Sequence, residues 1–140
     1  MWGGYEIPVQ LIEYLIVHKS WWDTVDFVAP KLAGPLFIKA PVERKKTARK
    51  WVTSGNTWLV RSALLMQLKY KKETDFELMC SVIGECAVDN EFFVRKAIGW
   101  TLREYSKTNP KAVMGFVAKQ EMSALSKKEA LKRITAKNKS

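Results

Sequence analysis

Cysteine is scarce in this chain of 140 residues and histidine scarcer, and neither is arranged for chemistry. Cys80 and Cys86, the two cysteines, stand six apart in one apolar stretch, a spacing that fits neither a zinc site nor a disulfide framework. They read as buried thiols. His18, the single histidine, has no metal-ligand pattern around it, which leaves it a core or surface role. No serine–histidine–aspartate set, cysteine–histidine pair or phosphate-cradling glycine loop is present. Apolar runs of membrane-spanning length are missing, as is the basic-then-apolar start of a signal peptide. These absences leave the expectation of a soluble, intracellular chain with no metal and no small-molecule cofactor. Strand-like alternation is missing too, so the chain reads as all-α.

Positive charge is what the chain has in excess: 24 Lys and Arg against 14 Asp and Glu, a formal net charge of +10. It runs through "ERKKTARK" (43–50), "KYKK" (69–72) and "KKEALKRITAKNKS" (127–140), so it is not confined to a tail. Such a spread fits a polyanion such as nucleic acid, an anionic membrane surface, or simply a soluble exterior. With 47% hydrophobic residues, the chain is globular and long enough for one domain with a modest core.

Helical periodicity predicts helices over 7–19, 21–29, 41–53, 57–71, 75–87, 90–107, 110–120 and 126–136. Ser20 and Asp23 have the spacing of a capping box for the second of these. Pro30, Gly34 and Pro35 in "APKLAGPLF" (29–37) predict a break and a short, split helix. "SGN" (54–56) and "TNP" (108–110) are turn and capping signals. Such short connections make antiparallel pairs, in either a closed bundle or a solenoid of stacked pairs near the ~40 residues of a HEAT-type repeat. The stretch 57–70 is apolar nearly all round and must be covered on several sides, yet it contains Arg61.

Three segments carry misplaced residues. In 90–107, Val94, Ile98, Leu102 and Tyr105 share the core face, whereas Lys96, Trp100 and Arg103 gather on another, with Phe93 at its edge. Trp100 there either packs on an adjacent helix or stacks on nucleic acid, with the two cations on phosphates. In 21–29, Val25 and Val28 mark the core side with Trp21 beside them, and Trp22 and Asp26 share the other. Arg61 falls between Leu68, Leu65 and Trp58, so it must reach solvent or meet an anion. A carboxylate such as Asp26 would serve, and so would a phosphate; a structural ion pair is the plainer of the two. Taken together, a carboxylate among aromatic rings, beside a cation on a basic chain, points to chemistry on a nucleic acid.

"SWWDTVDFVAPKLAGPLF" (20–37), "TWLVRSALLMQLKYKKETD" (57–75), "EFFVRKAIGWTLREYSKTNP" (91–110) and "LSKKEALKRI" (125–134) carry a resemblance that spans about 7–134. In these motifs and their order the chain resembles the AlkD family of DNA alkylation repair glycosylases. The resemblance implies a right-handed α-solenoid of HEAT-like antiparallel helix pairs, one domain over 1–140, with DNA held against a basic concave face. It implies hydrolysis of the N-glycosidic bond of N3- and N7-alkylated purines. The family's DNA-facing tryptophans fall on Trp22 and Trp100, its catalytic aspartate on Asp26 and its arginine on Arg61. Lys96 and Arg103 join them as DNA-binding residues from the helical reading. The implied partner is double-stranded DNA bearing alkylated purines, with no membrane and no cofactor. Two alternatives stay open: a non-catalytic DNA-binding relative, and a helical scaffold whose basic face binds acidic proteins.

Departures from the family pattern carry expectations of their own. Members of the family have repeats ahead of the point where this sequence begins with "MWGGYEIPV", so the chain is expected to lack them. The first helix, with Val9, Leu11, Ile12, Leu15 and Ile16, would then expose an apolar face and favour self-association. Val60 stands where the family has another arginine, which removes one phosphate contact. Residues 135–140 are expected to form a disordered tail.

Overall fold

Side-chain caps at Asn56, Asp75 and Asn109 set where three of the helices begin. The computed structural model describes residues 9–19 and 22–139, with the backbone alone for Trp22 and for 135–139. Among these residues every regular element is helical. Helix α1 covers Val9–His18 and α2 covers Trp22–Val28. Ser20 and Trp21, the expected cap and first residue of the second helix, lie outside the described residues; Asp23 Oδ1 accepts from the Thr24 N–H at 2.9 Å.

The expected break at the prolines does not occur. The backbone passes through a π-helical segment, Ala29–Ala33, directly into α3, Gly34–Ile38. In an α-helix a proline ring collides with the carbonyl one turn back, and its missing N–H leaves a bond unmade. At the junction the Gly34 N–H reaches Ala29 O in a wider π turn, and the backbone stays helical through both Pro30 and Pro35. Gly34 is required here, because a Cβ would lie 2.9 Å from Met66 O.

Helix α4, Pro41–Val52, opens on a proline where the missing N–H costs least. A turn with Gly55 at φ +77° leads to α5, Thr57–Leu65, capped by Asn56 Oδ1, which accepts from Trp58 N at 3.0 Å and Leu59 N at 3.1 Å. The helix expected over 57–71 stops at Leu65. Three-residue bonds, Leu68 N to Leu65 O and Tyr70 N to Gln67 O, both 3.0 Å, tighten the chain there. The buried Gln67 amide accepts from Asp75 N at 2.7 Å and donates to Asp75 O at 3.3 Å, closing the reversal. Asp75 Oδ1 then caps α6, Phe76–Cys86. Helix α7 is Phe92–Ser106 and α8 is Pro110–Lys119, capped by Asn109. Helix α9 runs Ala124–Lys139, longer than the expected 126–136, with helical backbone through most of the segment expected as a tail.

Helix α5 touches α1, α2, α4, α6 and α7, which accounts for its nearly all-round apolar surface. Helices α2, α5, α7 and α9 contact one another in succession, and α7 with α9 is the most extensive pairing; α4 lies on α6. Gly99 permits the α7–α9 approach, since a Cβ there would come 2.4 Å from Glu129 Cβ. On α7, Val94, Ile98 and Leu102 are wholly buried, and half-buried Tyr105 stacks on Phe76 with ring centroids 4.9 Å apart. The apolar stripe of α1 is not the exposed face expected of it. Ile12 and Ile16 are wholly buried and Val9 and Leu15 pack on the core, because α1 lies on α2 and α5. His18 is exposed, its ring 4.3 Å from that of Tyr14.

Candidate functional site

Burial of its neighbours places Asp26. Val25 and Val28 turn into the core from α2, which leaves the Asp26 side chain on the flank towards α5, 17% exposed. Arg61 comes from the middle of α5 and is buried, so its N–H groups need acceptors within the protein. Nε donates to Asp26 Oδ1 at 2.8 Å and Nη2 to Asp26 Oδ2 at 3.0 Å. Nη1 donates to the backbone carbonyl of Phe93 in the first turn of α7. The guanidinium carbon also lies 5.6 Å from the Phe93 ring centroid and 5.9 Å from that of Trp100. Each such cation–π contact is worth about 0.5–2 kcal/mol. The result is a carboxylate fixed at both oxygens and partly open to solvent, held by a guanidinium that itself faces two aromatic rings. Such a group can face a developing positive charge without having to reorganise.

Trp100 takes up the packing role among those left open for it. It packs against the core and borders Arg61, yet it is only half-buried. Trp22 sits on the α2 backbone four residues before Asp26, and its side chain lies outside those described. Lys96 and Arg103 do share a side of α7 but do not stand free. Lys96 Nζ meets Glu129 Oε1 at 3.0 Å and Arg103 Nη1 meets Glu129 Oε2 at 3.3 Å. The Glu129 carboxyl is held below the usual glutamate range, foremost by the Lys96 hydrogen bond and further by the charges of Lys96, Lys132 and Arg103, against an opposing effect of burial. Every one of these side chains comes from the succession α2, α5, α7, α9.

Other chemistry finds no support among the described residues. Burial pushes the Cys86 thiol up to about 12 and the half-buried Cys80 thiol up to about 11, which makes neither a nucleophile near neutrality. No group of three His, Cys, Asp or Glu side chains among them could hold a metal ion, and no helix is long and apolar enough to cross a membrane.

The sequence model of the DNA alkylation repair enzyme family matches residues 6–134, a span that contains every residue of this constellation. The chain belongs to that family. A solved chain described as "Predicted DNA alkylation repair enzyme from Enterococcus faecalis" superposes with a TM-score of 0.81 at 35% identity, over 89% of this chain. This chain spans 57% of the length of that one. No curated protein shows a significant match.

As a member of the alkylation repair family, the chain brings together Asp26, Arg61 and Trp100, the three described residues that both the helical reading and the family motifs single out. Two participants escape sequence reasoning. The Phe93 carbonyl is a backbone acceptor that no side-chain pattern reports. Glu129 is the one acid in α9 beside six Lys and Arg, and that isolation is the signal by which it could be found.

Proposed function

We propose that the chain is a monofunctional DNA glycosylase that hydrolyses the N-glycosidic bond of N3- and N7-alkylated purines in duplex DNA. The two-point hold of Arg61 on Asp26 is the observation that carries this reading. An alkylated purine of this kind is already cationic, so its bond to C1′ breaks without a protein acid and the base departs neutral. The sugar is left with oxocarbenium-like positive charge, to which water adds at C1′ with loss of a proton. Asp26 stabilises that charge and orients the water, a preorganised contact worth ~3–4 kcal/mol. Arg61 keeps the carboxylate in place, Trp22 and Trp100 exclude bulk water around it, and Lys96 and Arg103 meet the DNA backbone. In this reading residues 1–140 are one HEAT-like solenoid domain, with DNA lying along α2, α5, α7 and α9.

Release of 7-methylguanine or 3-methyladenine from methylated duplex tests the proposal. Asp26→Asn is expected to lower release about 10²–10³-fold, with duplex binding retained. Release at the wild-type rate by that variant would remove Asp26 from the chemistry. A second reading, a non-catalytic DNA binder, is supported by the net charge of +10, which suits a polyanion whether or not a base is released. Salt-sensitive duplex binding without any base release is the outcome that selects it.

A further inference from the structure

Glu129 is out of place electrostatically. It is the one acid of α9, among six basic residues, and it reaches across to two more cations on α7. Its carboxylate offers one oxygen to Lys96 and the other to Arg103, at 3.0 and 3.3 Å, as two oxygens of a phosphate diester would. The stem of Glu129 fills the space that Gly99 leaves by having no side chain, which fixes the carboxylate between the two cations. Exposure runs the other way: the Lys96 and Arg103 side chains are 38% and 32% exposed, while that of Glu129 is 13% exposed. The cations can therefore be approached from solvent while the anion lies beneath them, one turn from Trp100 on α7.

We propose that the Glu129 carboxylate occupies the place of a DNA backbone phosphate in the free protein, keeping Lys96 and Arg103 compensated until duplex displaces it. This rests on the reading of the chain as a DNA-binding repair protein and adds a control on its grip. Lys132, three residues further along α9, lies near enough to influence Glu129 and gives the displaced carboxylate a cation on its own helix. Binding of undamaged duplex is weakened by the exchange, because each phosphate gained at this place costs an existing ion pair.

The experiment is a salt titration of the dissociation constant for an unmodified duplex. Glu129→Gln should bind about 3- to 10-fold more tightly near ~0.1 M salt, with the salt dependence steeper by about one to two phosphate contacts. Adding Lys96→Met and Arg103→Met to that variant should cancel the gain. Glu129→Asp keeps the charge but falls short of both cations, so it should show a smaller gain. Glu104→Gln removes an acid paired with Lys107 and should change nothing beyond error. Thermal unfolding of each variant verifies that it is folded.

Unchanged or weaker binding by folded Glu129→Gln and Glu129→Asp overturns the proposal. An equal gain from Glu104→Gln overturns it too, since net charge alone would then explain the effect. Failure of the wild-type chain to bind duplex at low salt sinks the DNA-binding reading itself. Wild-type binding that responds to salt but not to loss of Glu129 sinks only the exchange.

Discussion

Arg61 holds Asp26 at both carboxylate oxygens, at 2.8 and 3.0 Å, and uses its remaining nitrogen on the Phe93 carbonyl. One guanidinium thereby joins α2, α5 and α7, and the same three bonds fix the direction of the only side chain proposed to meet the sugar. Stability and catalysis are coupled at this residue, so substitutions there should separate them.

Removing Arg61 leaves Asp26 without its counter-ion and the Phe93 carbonyl without this donor. Arg61→Ala should destabilise the fold by about 3–5 kcal/mol, towards the lower end because Asp26 is 17% exposed. Arg61→Lys keeps the charge but cannot make the two-point hold, and should lose base release more than stability. Denaturant unfolding alongside base release distinguishes the two effects; equal losses in both variants would show that the fork geometry is irrelevant.

Trp100 is half-buried, so part of its ring is available to a ligand. Trp100→Ala should weaken duplex binding and slow base release even after correction for the folded fraction, by about 1–3 kcal/mol if a stacking contact is lost. Unchanged binding and rate in the folded variant would confine the ring to packing.

Gly99 permits α9 to lie close on α7. Gly99→Ala places a methyl 2.4 Å from Glu129 Cβ and 3.2 Å from Ser126 O, so α9 must move outwards. A loss of about 1–3 kcal/mol is expected in chemical denaturation. A neutral result would mean that the helix pair slides without cost.

Acidification should act through Glu129. Its carboxyl is held below the ordinary glutamate value of 4.5, so the unfolded chain binds that proton more readily than the folded one. The associated stability is present above the unfolded value and is lost as pH falls through the lower, folded one. Unfolding midpoints measured from pH 7 to pH 3 should decline less steeply in Glu129→Gln than in the wild type. Parallel declines would show that the Lys96–Glu129–Arg103 group contributes nothing to the acid limb.

Much of the architecture is legible locally. Periodicity locates nearly every helix, and Asn56, Asp75 and Asn109 cap the helices that follow them. The failures are places where longer-range packing overrides a local rule. Pro30 and Pro35 read as breakers, but the backbone stays helical through them, by way of a π turn, in a helix covered by the end of α5. Leu68 and Tyr70 continue a helical pattern, but the Gln67 pairing with the Asp75 peptide ends the helix early. The α1 stripe reads as an open end, yet Ile12 and Ile16 find cover within the chain.

Helical periodicity shows that Arg61 stands in an apolar helix and must reach solvent or meet an anion, and that Asp26 and Trp100 lie off their core faces. Those are consequences of 100° rotation per residue, which acts within a turn or two. Which anion answers Arg61 is settled by packing, since Asp26 lies 35 residues away and is brought to it by the contact of α2 with α5. Likewise, Lys96 and Arg103 read as free cations until α9 crosses at Gly99 and sets Glu129 between them. Charge pairing across helices depends on distances of a few ångströms that residue spacing along one helix does not contain.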